Sequence, residues 1–266
     1  MITNLRTNSE SAIREKNIFL KVEYDGTHFA GWQRQKSDPT IQGTIEAALG
    51  RMTRQEITLN GSGRTDAGVH AWGQTANFRC RTRLLPQDFI KGLNSMLPDT
   101  IAIRECREIP LEFHARFDAI GKTYLYRIYN HPRPRAIGRR YVWQIRKALD
   151  LSAMQGAADR IVGTHDFKAF EGSGSPRPHT RRSVLKAQFK GEAQEVIRFE
   201  IAADGFLRYM VRNLVGSLVD VGLGKIDCDG FAQILAGRDR LKAGITAPPQ
   251  GLFLKEVAYD PASFAL

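Results

Sequence analysis

Strands and helices alternate twice along this chain in nearly the same order, and that repetition narrows its possible folds more than any single motif does. Ile18–Tyr24 alternates apolar and polar residues and stops at Asp25-Gly26, so it reads as a strand running into a turn. Thr40 can cap a helix over Ile41–Met52, because Ile41, Ile45, Ala48, Leu49 and Met52 fall on one face. Glu56–Leu59 and Gln74–Cys80 predict two strands joined by a Gly-rich segment. Pro86 starts a helix to about Leu97, and Ile101–Glu108 is a further strand. This order, β-α-β-β-α-β, is the ferredoxin-like one. The second half repeats it in outline, with a strand over Ile120–Tyr129, a helix over Ser152–Val162, and strands at Ser183–Phe189 and Val196–Ala202. A long helix over Phe206–Leu223, a shorter one at Asp229–Ala236 and a closing strand at Leu252–Ala258 complete it. The expected fold is α+β: two similar ferredoxin-like halves with antiparallel sheets side by side and a cleft between them. The expected boundaries are 17–112 and 113–266, with a linker near 110–118 and a disordered N-terminal extension over 1–16.

Chemistry concentrates in the Gly-rich segment Gly61-Ser-Gly-Arg-Thr-Asp-Ala-Gly-Val-His70. Asp66 shares a turn with Gly61, Gly63 and Gly68, so a ligand can approach it past little side-chain bulk. Arg64 can hold it ionised, and an ionised carboxylate is a nucleophile. Spacing alone fits a Gly-rich hairpin with a capping Asp equally well.

Charge points to a polyanion. Lys and Arg total 39 against 28 Asp and Glu, for a net charge of +11 and a pI near 9.8. From Ala119 to Leu149 there is no acidic residue, while Lys122, Arg127, Arg133, Arg135, Arg139, Arg140, Arg146 and Lys147 are interleaved with Tyr124, Tyr126, Tyr129, Tyr141 and Trp143. A second acid-free run, Gly172 to Gly191, carries Arg177, Arg181, Arg182, Lys186 and Lys190. Cations suit phosphates and aromatic faces stack on unpaired bases. The same tyrosines also suit a strand core, with both roles met on opposite faces of residues 122–130. His28, His70, His114, His131, His165 and His179 form no metal-ligand spacing, so no metal is expected. Cys80, Cys106 and Cys228 are far apart and odd in number, which reads as reduced thiols in a cytoplasmic protein. No apolar run suits a membrane span, and the polar N-terminus does not read as a secretory signal.

GSGRTDAGVHA resembles the signature of the tRNA pseudouridine synthase A family. Other segments match that family in order: Tyr24-Asp-Gly-Thr-His-Phe-Ala-Gly-Trp-Gln33, Thr40-Ile-Gln-Gly-Thr-Ile-Glu46, Phe113-His-Ala-Arg-Phe117, Gly121-Lys-Thr-Tyr-Leu-Tyr-Arg127, Gly163-Thr-His-Asp-Phe167 and Met210-Val-Arg-Asn-Leu-Val-Gly216. The resemblance runs from about Asn17 to the C-terminus; the Pro-rich, basic segment before Thr180-Arg-Arg182 departs from it. It implies isomerisation of uridine to pseudouridine in the tRNA anticodon stem-loop, expected at tRNA positions 38–40, without a cofactor, by a homodimer. Asp66 would be the nucleophile, attacking ribose C1′ or uracil C6, or the reaction would pass through a glycal. Tyr124 would stack on the flipped uracil and help move the C5 proton. Arg212, with Arg208 as the fallback, would pair with Asp66 and keep its pKa low. Arg64 would contact phosphate, and Gln33 and His70 would line the substrate site, His70 without acid–base work. Asp25 reads as a turn residue and Asp166 as a cap. Two rivals stand beside this reading. One is a non-catalytic RNA-binding protein with two halves like RNA-recognition motifs, although the aromatic RNA-binding motif of those domains has no clear match here. The other is a metal-dependent nuclease using scattered aspartates.

Overall fold

The last strand decides the architecture. In the computed structural model, which describes residues 13–174, 179–191 and 196–261, ten strands form one sheet among the described residues. The first half contributes β1 (Arg14–Tyr24), α1 (Ile41–Thr53), β2 (Asn60–Gly61), β3 (His70–Thr82), α2 (Pro86–Met96) and β4 (Ile101–Ile109). The second contributes β5 (Gly121–Asn130), β6 (Trp143–Ile145), α3 (Leu151–Asp159), β7 (Gly163–Asp166), β8 (Arg181–Lys190), β9 (Val196–Ala203), α4 (Met210–Gly222), α5 (Cys228–Gly237) and β10 (Leu252–Ala258). The order across the sheet is β4-β1-β3-β10-β5-β9-β8-β7, with β2 on β3 and β6 on β5. β10 pairs antiparallel with β5 and, through Phe253↔His70 and Leu254↔Ala71, parallel with β3. The α+β fold expected from the pattern is present, and the two side-by-side sheets are joined into one through β10.

Register assigns the faces. Val22 pairs Gln74 and Tyr24 pairs Ala71, a bulge in β3 absorbing the extra residue, while Leu254 pairs both Ala71 and Tyr124. These residues therefore share one face of the sheet. Helices pack on it: Phe78 of β3 meets Phe89 of α2 edge-on at 5.4 Å, and Ile41, Ile45, Ala48 and Leu49 of the α1 stripe are fully buried, with Met52 partly so. His70, Phe253 and Leu125 point to the opposite face.

Several boundaries differ from the sequence reading, each for a local reason. Glu56–Leu59 is not a strand: the Leu59 N–H donates to Glu46 Oε1 at 2.9 Å and its carbonyl accepts from Gln42 Nε2 at 3.1 Å. Side chains of α1 thus take the backbone bonds a neighbouring strand would have made. β1 begins at Arg14, inside the expected extension, with Lys16 buried and its ammonium on the Leu84 carbonyl at 2.8 Å. Residues 1–12 lie outside the described part. α4 begins at Met210 because Tyr209 adopts a left-handed conformation (φ 60°), which breaks the run from Phe206. α3 stops at Asp159, and the short strands β6 and β7 were not anticipated. No helix is long and apolar enough to cross a membrane among the described residues. The three cysteines are unpaired.

Candidate active site

The Asp66 loop hangs between β2 and β3 and is fixed from below by buried polar groups. The Ser62 hydroxyl donates to Gln74 Oε1 at 2.7 Å, and Gln74 Nε2 donates to the Gly63 carbonyl at 2.9 Å. The hydroxyls of Tyr24 and Thr65 meet at 2.7 Å, and the Trp32 backbone N–H donates to the Thr65 carbonyl at 3.1 Å. Two glycines make the packing possible. A Cβ on Gly61 would lie 2.5 Å from the Trp32 ring, and one on Gly31 (φ 95°) would lie 2.6 Å from the Thr65 carbonyl. The loop is therefore a fixed mount for its one carboxylate, Asp66.

Arg212, in the first turn of α4, reaches that carboxylate from the other half of the chain, with Nη1 donating to Oδ2 at 3.0 Å. Its Nε donates to the Ala247 carbonyl at 2.7 Å, its backbone carbonyl accepts the Ala247 N–H at 3.1 Å, and its guanidinium lies 5.1 Å from the Tyr209 ring centre. With its side chain only 13% exposed, the arginine is held on several sides. Burial pushes the Asp66 carboxyl above the usual carboxylate range, and the hydrogen bond and charge of Arg212, aided by the charge of Arg208, pull it back only in part. The expectation that arginine keeps this pKa low is corrected in that respect: it limits a rise that desolvation causes. The fallback, Arg208, is engaged elsewhere, with Nη1 on the Ser173 carbonyl at 2.7 Å.

Tyr124 lies on β5, on the sheet face under this pair, and lines the same cleft of about 1390 Å³. Its ring is buried and meets Phe206 edge-on at 5.0 Å. Burial, and then the charges near Tyr24 and Asp66, push its phenol well above the ordinary range, so the hydroxyl is protonated at neutral pH.

The remaining expected residues divide. Arg64 does not touch Asp66: its Nε donates to Gln33 Oε1 at 3.0 Å, so the idea that it holds the carboxylate ionised is corrected. Side chains two apart in this tight turn diverge, unlike those of an extended strand. Gln33 is fixed in turn by Gln42 Oε1 at 2.8 Å, and both Arg64 and Gln33 line the cleft. His70 does not. It is buried on the opposite face of the sheet, stacked on Phe253 at 4.7 Å, with Nδ1 3.0 Å from Asp25 Oδ1 and 3.1 Å from the Gly26 nitrogen. The substrate-lining role expected for it is corrected to a structural one, because the register of β3 turns its side chain away. Asp25 accepts from the Thr27 N–H at 3.0 Å and the Tyr141 hydroxyl at 2.8 Å; Asp166 accepts from the Lys168 N–H at 3.1 Å. Of the two acid-free runs, the second supplies His179, Arg181 and Arg182 to the cleft, while the first supplies mainly Lys122 and Tyr124. Arg127 instead lies over Phe253, 5.8 Å from its ring centre, on the far face. Sequence reasoning did not single out Gln74, Thr65, Phe206 or Ala247. Gln74 lies among mixed neighbours, Thr75 and Asn77 included, so the strand pattern gave no signal for it, and the Ala247 carbonyl left none either. Among the described residues, no group of three His, Cys, Asp or Glu is arranged to hold a metal.

A cleft with an aspartate paired to a largely buried arginine and a tyrosine at its floor, rimmed mainly by cations with Asp204 among them, suits an enzyme site for a polyanionic substrate. Comparison with known proteins specifies the class. Residues 21–118 and 157–260 match the tRNA pseudouridine synthase family. The chain is 46% identical to tRNA pseudouridine synthase A of Acetivibrio thermocellus over 244 residues, 92% of this chain and 100% of that protein. It is 46% identical to tRNA pseudouridine synthase A 1 of Desulfotalea psychrophila over 251 residues, again 92% of this chain and 100% of the relative. It is 43% identical to tRNA pseudouridine synthase A 2 of Clostridium tetani, covering 92% and 99%. A solved H/ACA RNP bound to a substrate RNA containing 2′-deoxyuridine is similar over 76% of this chain and 44% of its own, at 10% identity and a TM-score of 0.36, too loose a likeness to carry weight. The chain belongs to the tRNA pseudouridine synthase family, and it is an isomerase that converts uridine to pseudouridine in tRNA. The reading as a non-catalytic RNA-binding protein is not supported.

Proposed function

We propose that Asp66 is the nucleophile of this isomerisation and that the substrate uridine lies in the anticodon stem-loop, on its 3′ side at tRNA positions 38–40. The observation that carries the role of Asp66 is its ion pair with Arg212, 3.0 Å long, at a cleft reached by both halves of the chain; the anticodon position rests on the family resemblance. The reaction breaks the bond from ribose C1′ to uracil N1, turns the base, forms the bond from C1′ to C5, and in net moves the proton from C5 to N1, which ends as an N–H. It is redox-neutral and balances without a co-reactant. Asp66 attacks in the ionised form, which Arg212 favours. Tyr124 supplies a ring face for the loosened uracil. Its hydroxyl, protonated at neutral pH, passes the C5 proton on by accepting one proton as it gives up its own.

Arg64, oriented by Gln33, meets the phosphate beside the target and helps extrude the nucleotide. Arg181 and Arg182 extend the positive wall on the side of the second half, with His179 beside them. The division near residues 112 and 113 gives each half one share of the site. A stem-loop is wider than one such cleft, so a homodimer acting in the cytoplasm, one subunit gripping the RNA body and the other receiving the base, fits the substrate.

Unmodified tRNA transcripts incubated with the protein in EDTA test this, with pseudouridine mapped by carbodiimide labelling and primer extension. New pseudouridine confined to the 3′ side of the anticodon arm is the expected result. Modification elsewhere in the tRNA overturns the anticodon assignment, and strand cleavage overturns the isomerase reading. Sedimentation of the protein as a monomer, alone and with tRNA, removes the dimer.

A further inference from the structure

Phe117 carries a ring that is 74% exposed, yet the turn beneath it is firmly held. Ala115, two residues earlier, is fully buried; its N–H donates to Asn77 Oδ1 at 2.9 Å, and its carbonyl accepts from the Tyr259 hydroxyl at 2.7 Å. The turn also closes on itself. The His114 carbonyl accepts the N–H groups of Phe117 and Asp118, both at 3.1 Å, and the Asp118 carboxylate accepts the His114 N–H at 2.9 Å. An aromatic on such a mount is presented before any ligand arrives, so little ordering is needed to use it.

Its surroundings fit a nucleotide. The His114 ring centre is 4.3 Å from that of Phe117, and the Arg116 guanidinium is 5.7 Å from it. His114, Arg116 and Phe117 all line the cleft that holds Asp66. An unpaired base offers a flat face to such a ring, and its phosphate offers a charge to the arginine. Nothing in the isomerisation chemistry uses these three residues.

We propose that Phe117, with Arg116 and His114, is a second base-binding site: a stacking platform for an unpaired base of the RNA other than the uridine being isomerised. This rests on the reading of the cleft as a tRNA site. Continuity with the cleft and the charge of Arg116 favour RNA over an apolar protein partner.

The test places 2-aminopurine at one non-target loop position at a time in the substrate RNA and follows its fluorescence on binding. Phe117→Ala, Phe117→Leu and Phe117→Trp are compared with the unaltered protein. The expected result is quenching at one position, lost in Phe117→Ala and Phe117→Leu and kept in Phe117→Trp. Affinity should fall roughly 5- to 150-fold in the first two variants, with the loss in KM larger than in kcat. Binding of Phe117→Leu equal to that of the unaltered protein overturns the platform, as does an absence of quenching at every position. A dimer that dissociates in Phe117→Ala also overturns it, and assigns the ring to a protein–protein contact. Pseudouridine formation on the same RNA keeps the two ideas apart. An inactive unaltered protein overturns the isomerase reading, whereas an active one with unchanged Phe117→Ala overturns the platform alone.

Discussion

Asp66 stands between two opposed influences, and the balance between them sets its behaviour. Burial favours the neutral acid, Arg212 favours the carboxylate, and burial wins by enough to leave the pKa raised. The ionised form is the active one, so kcat/KM should fall as pH drops through that raised pKa. Removing the cation raises it further. We therefore expect Arg212→Gln to move the acid limb of the pH–rate profile to higher pH and to cost about 2–4 kcal/mol, roughly 30- to 1000-fold, at neutral pH. An unshifted acid limb would detach Arg212 from Asp66 in function. Tyr124 yields a second residue-scale expectation. Tyr124→Phe keeps the ring and loses the proton relay, so kcat should fall with KM little changed; Tyr124→Leu should lose both. Asp66 and Arg212 were legible in the sequence through family resemblance, since no local pattern links residues 146 positions apart. Arg64 lines the cleft as expected but does not hold Asp66, and His70, expected there by resemblance, is turned away. A tight turn diverts the first, and the bulge in β3 accompanies the second onto the other face.

At the scale of elements, the site depends on how α4 meets the segment after α5. Gly216 follows Arg212 by one helical turn, and a Cβ there would lie 1.8 Å from the Ile245 carbonyl oxygen. That segment carries Ala247, whose carbonyl holds Arg212. Gly216→Ala should therefore cost about 1–3 kcal/mol or more of stability in a denaturant titration and lower kcat as well, because the segment must shift. Stability unchanged by the substitution would show that the contact gives way freely. His70 ties β3 to the turn after β1. Burial holds its pKa below the usual value, against the pull of Asp25, so the fold prefers the neutral ring. Its contribution is complete above the unfolded-state value of about 6.5 and is lost as pH falls toward the lower folded-state value. Thermal melts from pH 7.5 down to 5.5 should show a smaller loss of Tm for His70→Gln than for the unaltered protein. The long elements were legible: α1, α2 and β10 have the expected starts, fixed by Thr40, Pro86 and the residue pattern. The short strands β6 and β7, of three and four residues, are below the length at which alternation has meaning.

For the whole molecule, the central fact is that neither half holds the site alone. Asp66 comes from the first half, Tyr124 and Arg212 from the second, and β10 joins the two through a ladder of two residue pairs to β3. The two-half α+β plan could be read from the order of elements, but the join could not. Phe253 and His70 are distant in sequence, and a two-pair parallel ladder leaves no periodic trace. The most direct measurement is single-turnover conversion of tRNA uridine to pseudouridine by the unaltered protein and by Asp66→Asn, with tRNA binding measured in parallel. The account predicts conversion by the unaltered protein, none detectable by Asp66→Asn, and binding of tRNA by both. Pseudouridine formed by Asp66→Asn at a comparable rate would contradict it, and would remove the carboxylate from the chemistry.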